Sequence, residues 1–145
     1  MTAQIYSFLA SLQDDVATEI SVNVIVIIGG QDFCGDNSLN DFIQNPPGEK
    51  TALVSQFMRA LTNCPLPVIT SSDGVPVSIV TIFLLHCELV YANNNSLFMM
   101  PSIELGALPQ FGAPILLDRR TGYVKATEMV LLEEKFNPKT PSNTL

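Results

Sequence analysis

The chain has 145 residues, of which 47% are hydrophobic and only 14% charged, and its formal net charge is −7. That length supports one domain with a real core, and leaves little room for separate cofactor and substrate domains. An acidic balance with only seven Lys and Arg excludes a nucleic-acid surface, because neutralising phosphates needs a basic stripe.

Ile5, Leu9, Leu12 and Val16 recur at helical spacing, which predicts an amphipathic helix over the first sixteen or so residues, ended by Glu19 to Ser21. Val22 to Ile28, VNVIVII, reads as a strand with both faces covered. Gly29-Gly30 stop it, and a polar loop follows from Gln31 to Asn40. Loops leaving the C-terminal ends of parallel strands are where ligands bind in such sheets. Asn45-Pro46-Pro47-Gly48 is a stiff connection into a second helix, from Glu49 to about Asn63, with Leu53, Phe57 and Leu61 on one stripe and Val54 and Met58 beside it.

Pro67 to Thr70 is a short apolar strand, and Ser71-Ser72-Asp73-Gly74 a turn that opens an apolar helix of about three turns. Pro76 suits the first turn of that helix, and Asp73 or Ser72 can cap it. A second strand follows at Leu89 to Ala92. The order of strand, turn, buried helix and strand is one crossover unit of a parallel sheet. The helix mouth directs backbone donors outward and can hold an anion or a developing oxyanion, although the same pattern also fits a plain buried helix.

Asn93-Asn94-Asn95 is a turn before a short strand at Leu97 to Met99, and Leu105 to Pro109, with Gly106, is a loop near the strand ends. Ala113 to Leu117 and Val124 to Leu132 carry the last helical pattern, separated by Asp118 to Gly122. Residues 1–138 read as one core domain and 139–145 as a polar tail.

Val75 to Ala92 is long and apolar, but His86, Glu88 and the early proline favour a buried helix and strand over a membrane span. No basic-then-apolar leader opens the chain, so an intracellular protein is expected. Cys34, Cys64 and Cys87 show no metal spacing and read as reduced thiols. His86, the only histidine, sits in the apolar helix and reads as a core residue, so Cys34 has no evident base.

A succession of phrases resembles the enoyl-CoA hydratase/isomerase, or crotonase, superfamily. The run IVIIGGQDFCGDNSLNDF is similar to that family's strand and F-C-A-G-A-D-L loop, and Cys64-Pro65-Leu66-Pro67-Val68-Ile69 to its C-P-K-P-V-I. Asp73-Gly74-Val75-Pro76-Val77 stands for N-G-P-A-V, Glu88-Leu89-Val90-Tyr91-Ala92 for D-L-V-Y-A, and Lys125-Ala126-Thr127-Glu128-Met129 continues the agreement. Ser78-Ile79-Val80-Thr81 looks most like the G-I-S-V of peroxisomal-type Δ3,Δ2-enoyl-CoA isomerases and the related chromodomain-Y domains.

The resemblance implies an α/β fold, a crotonase-like spiral of parallel strands with flanking helices (the ClpP/crotonase fold), truncated at both ends. It also implies an acyl-CoA substrate, no metal or separate cofactor, and a homo-oligomer, trimer or hexamer. The backbone N–H groups of Asn37 and Ile79 would form an oxyanion hole, with Gly35 and Lys50 at the CoA moiety. Basic residues for the CoA phosphates are few: Lys50, Arg59, Arg119, Arg120 and Lys125.

Proton transfer needs a carboxylate near the substrate carbon. The glutamate positions of family hydratases fall on Ile82 and Ser102, and that of the isomerases on Gln110. Asp36 and Glu104 are the alternative bases, although a carboxylate at Asp36 would repel the charge developing beside it. A catalytically inactive binding or assembly module is therefore the rival expectation. Cytoplasm, peroxisome and mitochondrion are not distinguished, and Asn143-Thr144-Leu145 differs from the usual peroxisomal tripeptide.

Overall fold

Every residue from Ile79 to Leu85 is buried and none is charged, so this short helix needs cover on all sides. A computed structural model of the protein describes residues 6, 7, 9–11, 21–29, 49–104 and 106–139, without the side chains of 49–52. Its elements are β1 (Ile25–Ile28), α1 (Glu49–Asn63), β2 (Val68–Ser72), α2 (Ile79–Leu85), β3 (Leu89–Ala92), α3 (Ala113–Thr121) and α4 (Tyr123–Leu131). The described residues of the first predicted helix, 6, 7 and 9–11, are helical.

The strands form a parallel sheet in the order β1-β2-β3, and α2 is the crossover between the second and third, as the alternation of elements predicts. Central β2 turns Val68, Thr70 and Ser72 into the core. Glu88 fixes the register at the other edge: its N–H donates to the Val68 carbonyl at 2.9 Å, while its carboxylate accepts the Val68 N–H at 2.5 Å. Residues that follow on both strands then pair in step, beginning with Ile69 against Leu89.

Helix α1 covers the core with the stripe its spacing predicts, burying Val54, Phe57, Met58 and Leu61. The Phe57 ring lies 5.6 Å from that of Phe83 on α2 and 5.7 Å from that of Tyr6, both tilted, a favoured aromatic geometry. Phe98 and Phe136 form a third such pair, joined also by reciprocal backbone hydrogen bonds of 2.8 and 3.0 Å.

Several expectations need correction. Strand β1 does not have both faces covered: Val26 is 54% exposed and Ile28 76%, on an edge strand over which no described element packs on that side. Ser71 and Ser72 belong to β2, and α2 has two turns rather than three. Its start is displaced because residues 74–78 pair sideways with 97–99 before the helix can begin: Leu97 N–H donates to Gly74 O, Met99 N–H to Pro76 O and Ser78 N–H to Met99 O. Neither Ser72 nor Asp73 caps the helix; its first flanking residue is Ser78, without a side-chain cap. Asp118 to Thr121 are helical, and only Gly122, at φ 82°, separates α3 from α4. His86 closes the C-terminal end of α2 and is half-buried, outside the core proper.

Phe57 is fully buried at the junction of α1, α2 and the N-terminal helix, so its truncation removes both rings' contacts. Phe57→Ala is expected to lower the unfolding free energy by about 3–5 kcal/mol, read from urea denaturation.

Candidate active site at the mouth of the buried helix

The lateral pairing of residues 74–78 determines the backbone at the start of α2. Ser78 N–H donates to Met99 O at 2.9 Å, Val80 N–H to Val77 O at 3.2 Å, and Ile82 N–H to Ser78 O at 3.1 Å. Among the described residues, the Ile79 N–H makes no hydrogen bond. Buried backbone donors without partners are rare. No acidic side chain lies in the first turn of α2 to compete for this donor.

The residue before it is held in a costly conformation. Ser78 has φ 54° and ψ −116°, a region that side-chain-bearing residues rarely occupy. Thr81 helps to hold it: its hydroxyl lies 2.9 Å from Pro76 O and 3.0 Å from Met99 O, the two carbonyls that flank the pairing, and donates to them. Sequence reading missed both residues, although a lone threonine inside the apolar run IVTIFLL was a signal that a buried hydroxyl had a specific partner.

The three positions on which the resemblance places the family acids lie in unlike places. Ile82 and Ser102 are buried, whereas Gln110 is exposed in the turn before α3, where its carbonyl accepts the Ala113 N–H at 3.1 Å. His86 steadies that turn: its Nε2 lies 2.9 Å from Phe111 O and donates to it, since a carbonyl can only accept. Phe111 carries φ 53°, and the bond holds it in that strained conformation.

Glu104 is exposed, and its N–H donates to Glu133 Oε1 at 3.1 Å, as does the Ile103 N–H at 2.6 Å. Glu133, which sequence reading did not single out, thus anchors the turn that bears Glu104. No hydrogen bond or ion pair joins Ile79, Glu104 and Gln110 to one another. Gly35, Asp36 and Asn37 lie outside the described residues, as does the side chain of Lys50, which sits in the first turn of α1.

Of the basic residues considered for an anionic ligand, Lys125 is already committed. Its ammonium lies 2.8 Å from Glu128 and 3.5 Å from Glu134, and the hydrogen bond to Glu128 raises its pKa. Among the described residues, no group of three or more His, Cys, Asp and Glu could hold a metal, and no helix is long and apolar enough to cross a membrane.

This geometry can now be set beside known proteins. The enoyl-CoA hydratase/isomerase family model matches residues 2–143, and the chain belongs to that family. It superimposes with a TM-score of 0.85 on Pseudomonas aeruginosa OdaA, at 36% identity, covering 94% of this chain and 56% of that one. An enoyl-CoA hydratase/isomerase from Pseudoalteromonas atlantica T6c gives a TM-score of 0.86 at 26% identity, covering 95% and 55%. The 1,2-epoxyphenylacetyl-CoA isomerase of Escherichia coli K12 is 28% identical over 142 residues, 92% of this chain and 54% of the relative. The fold is therefore the crotonase fold, and the chain spans about half the length of the relatives it matches.

Two expectations follow from the site's surroundings. Ser78→Gly removes the steric cost of φ 54° and is expected to stabilise the protein by about 0.5–2 kcal/mol in urea denaturation, with the fold retained by circular dichroism. Burial, followed by the nearby Glu88 carboxylate, pushes the Cys87 thiol up to about 12, against an opposing pull from Arg120. A folded pKa raised above the ordinary 9.0 gives stability that is present below pH 9 and lost as pH rises towards 12. Between pH 8 and 10.5 the wild type is expected to lose about 2 kcal/mol more unfolding free energy than Cys87→Ala.

Proposed function

We propose that the chain binds acyl-CoA thioesters in the manner of enoyl-CoA isomerases and hydratases, with the thioester oxygen on the Ile79 N–H. The observation that carries this reading is the Ile79 amide, without a hydrogen-bond partner among the described residues, beside the strained Ser78. A donor fixed in a dry site stabilises the enolate oxygen as charge develops, and such a donor is worth roughly 3–4 kcal/mol in other enzymes. Asn37 N–H is the second donor of the proposal, with Gly35 and Lys50 at the CoA moiety. Relatives named for acyl-CoA isomerisation and hydration support the substrate class.

The proton-moving group divides this reading in two. As an enzyme, the chain uses Asp36 or Glu104 in place of the family acids. As an inactive binding module, it polarises the thioester without turnover, a reading favoured by the burial of Ile82 and Ser102 and by the amide at Gln110. The proposal includes self-association as a homo-oligomer. In support, Val26 and Leu89 flank Ile69, and Ile28 and Tyr91 flank Ser71, which leaves one face of the sheet apolar and exposed.

The test is conversion of a 3-enoyl-CoA to its 2-enoyl isomer, with binding of the same thioester followed by calorimetry. Wild type is expected to bind, and Gln110→Glu to raise the isomerisation rate by roughly 10²- to 10⁴-fold, the usual contribution of a placed general base. Binding without turnover in either protein identifies the inactive module. Failure of both to bind overturns the thioester site.

A further inference from the structure

One opening in the described structure lies away from the residues placed at the mouth of α2. A cavity of about 480 Å³, open along one side, lies between α2, β3, α3, α4 and the segment around Phe136. Neither Ile79 nor Gln110 is among the residues that line it.

Its wall is almost wholly apolar, with Leu84, Val90, Leu117, Met129 and Phe136 contributing side chains from five parts of the chain. The volume falls within the range of small-molecule sites, and at about 30 Å³ per water-sized group it has room for roughly sixteen such groups, enough for an alkyl chain of about ten carbons and its head group. Arg120 is the one charged residue in the lining. Its guanidinium donates to the Cys87 carbonyl and makes no ion pair with a carboxylate among the described residues. A guanidinium has five N–H donors in a planar fork that matches a carboxylate, so most of its capacity stays unused.

We propose that this cavity binds a medium-chain monocarboxylic acid, its alkyl chain against the apolar wall and its carboxylate on Arg120. Burial of methylene groups supplies the affinity, and the guanidinium selects the head group. The site takes the free acid, and it does not depend on the oxyanion reading of Ile79.

The experiment compares decanoate with decanol, equal in chain length and differing in charge, by displacement of a fluorescent apolar probe. Wild type is expected to bind decanoate about five- to tenfold more tightly than decanol, as a partly exposed charge-assisted pair allows. Arg120→Gln keeps an N–H donor for Cys87 and is expected to remove that preference while decanol binding is unchanged. Ala92→Phe places a ring in the cavity from β3 and is expected to abolish binding of both ligands. Thermal melts of both variants establish that they fold. Equal binding of decanoate and decanol by wild type overturns the proposal, and so does undiminished binding by a folded Ala92→Phe.

Discussion

The pairing of residues 74–78 with 97–99 is the constraint from which the rest of the site follows. Three backbone hydrogen bonds and the Thr81 hydroxyl tie these segments together, so the chain arrives at α2 from the side and not along the helix axis. Ser78 absorbs the change of direction at φ 54°. The amide that follows, of Ile79, makes no hydrogen bond among the described residues. Strain of about 1–3 kcal/mol persists only where neighbouring structure over-determines it, and here the pairing does so.

The sheet and its crossover were legible in the sequence because their signals are local. Pro67 to Thr70 and Leu89 to Ala92 are short apolar runs, and between them lies an apolar stretch in which His86, Glu88 and the early proline favour a buried helix. What could not be read was any feature created by pairing between distant segments. The true start of α2 depends on residues twenty positions further on, and the exposure of Val26 and Ile28 depends on what lies beside β1. A continuous apolar run says that a strand is suited to burial, and tertiary structure decides whether both faces receive it.

The site was legible only in its framework. Ile79 could be singled out from the resemblance of the phrases around it, but the reason that its amide stands free lies in the bonds of Ser78 and Met99. Glu133 left no trace in the sequence, since a glutamate after an apolar helix reads as a solvated end; it caps two consecutive N–H groups across the chain at Ile103 and Glu104. Ile82 and Ser102 show the opposite case. A carboxylate at either buried position would cost several kcal/mol unless paired, whereas isoleucine joins the core of α2 directly. Both positions are used here for packing.

The far end of α2 is fastened by a different means. His86 donates to Phe111 O, and Arg120 donates to Cys87 O, so two side chains close the helix against the turn before α3 and against α3 itself. Both acceptors are backbone carbonyls, which fixes position without requiring a charge on the other side. That choice matters for Arg120, because a carboxylate partner would have consumed its fork, while a single carbonyl leaves the remaining donors at the wall of an apolar cavity. The same contact that anchors α2 therefore leaves Arg120 without an ion-pair partner among the described residues. A structural bond and a recognition site can share one guanidinium only because the carbonyl takes so few of its donors.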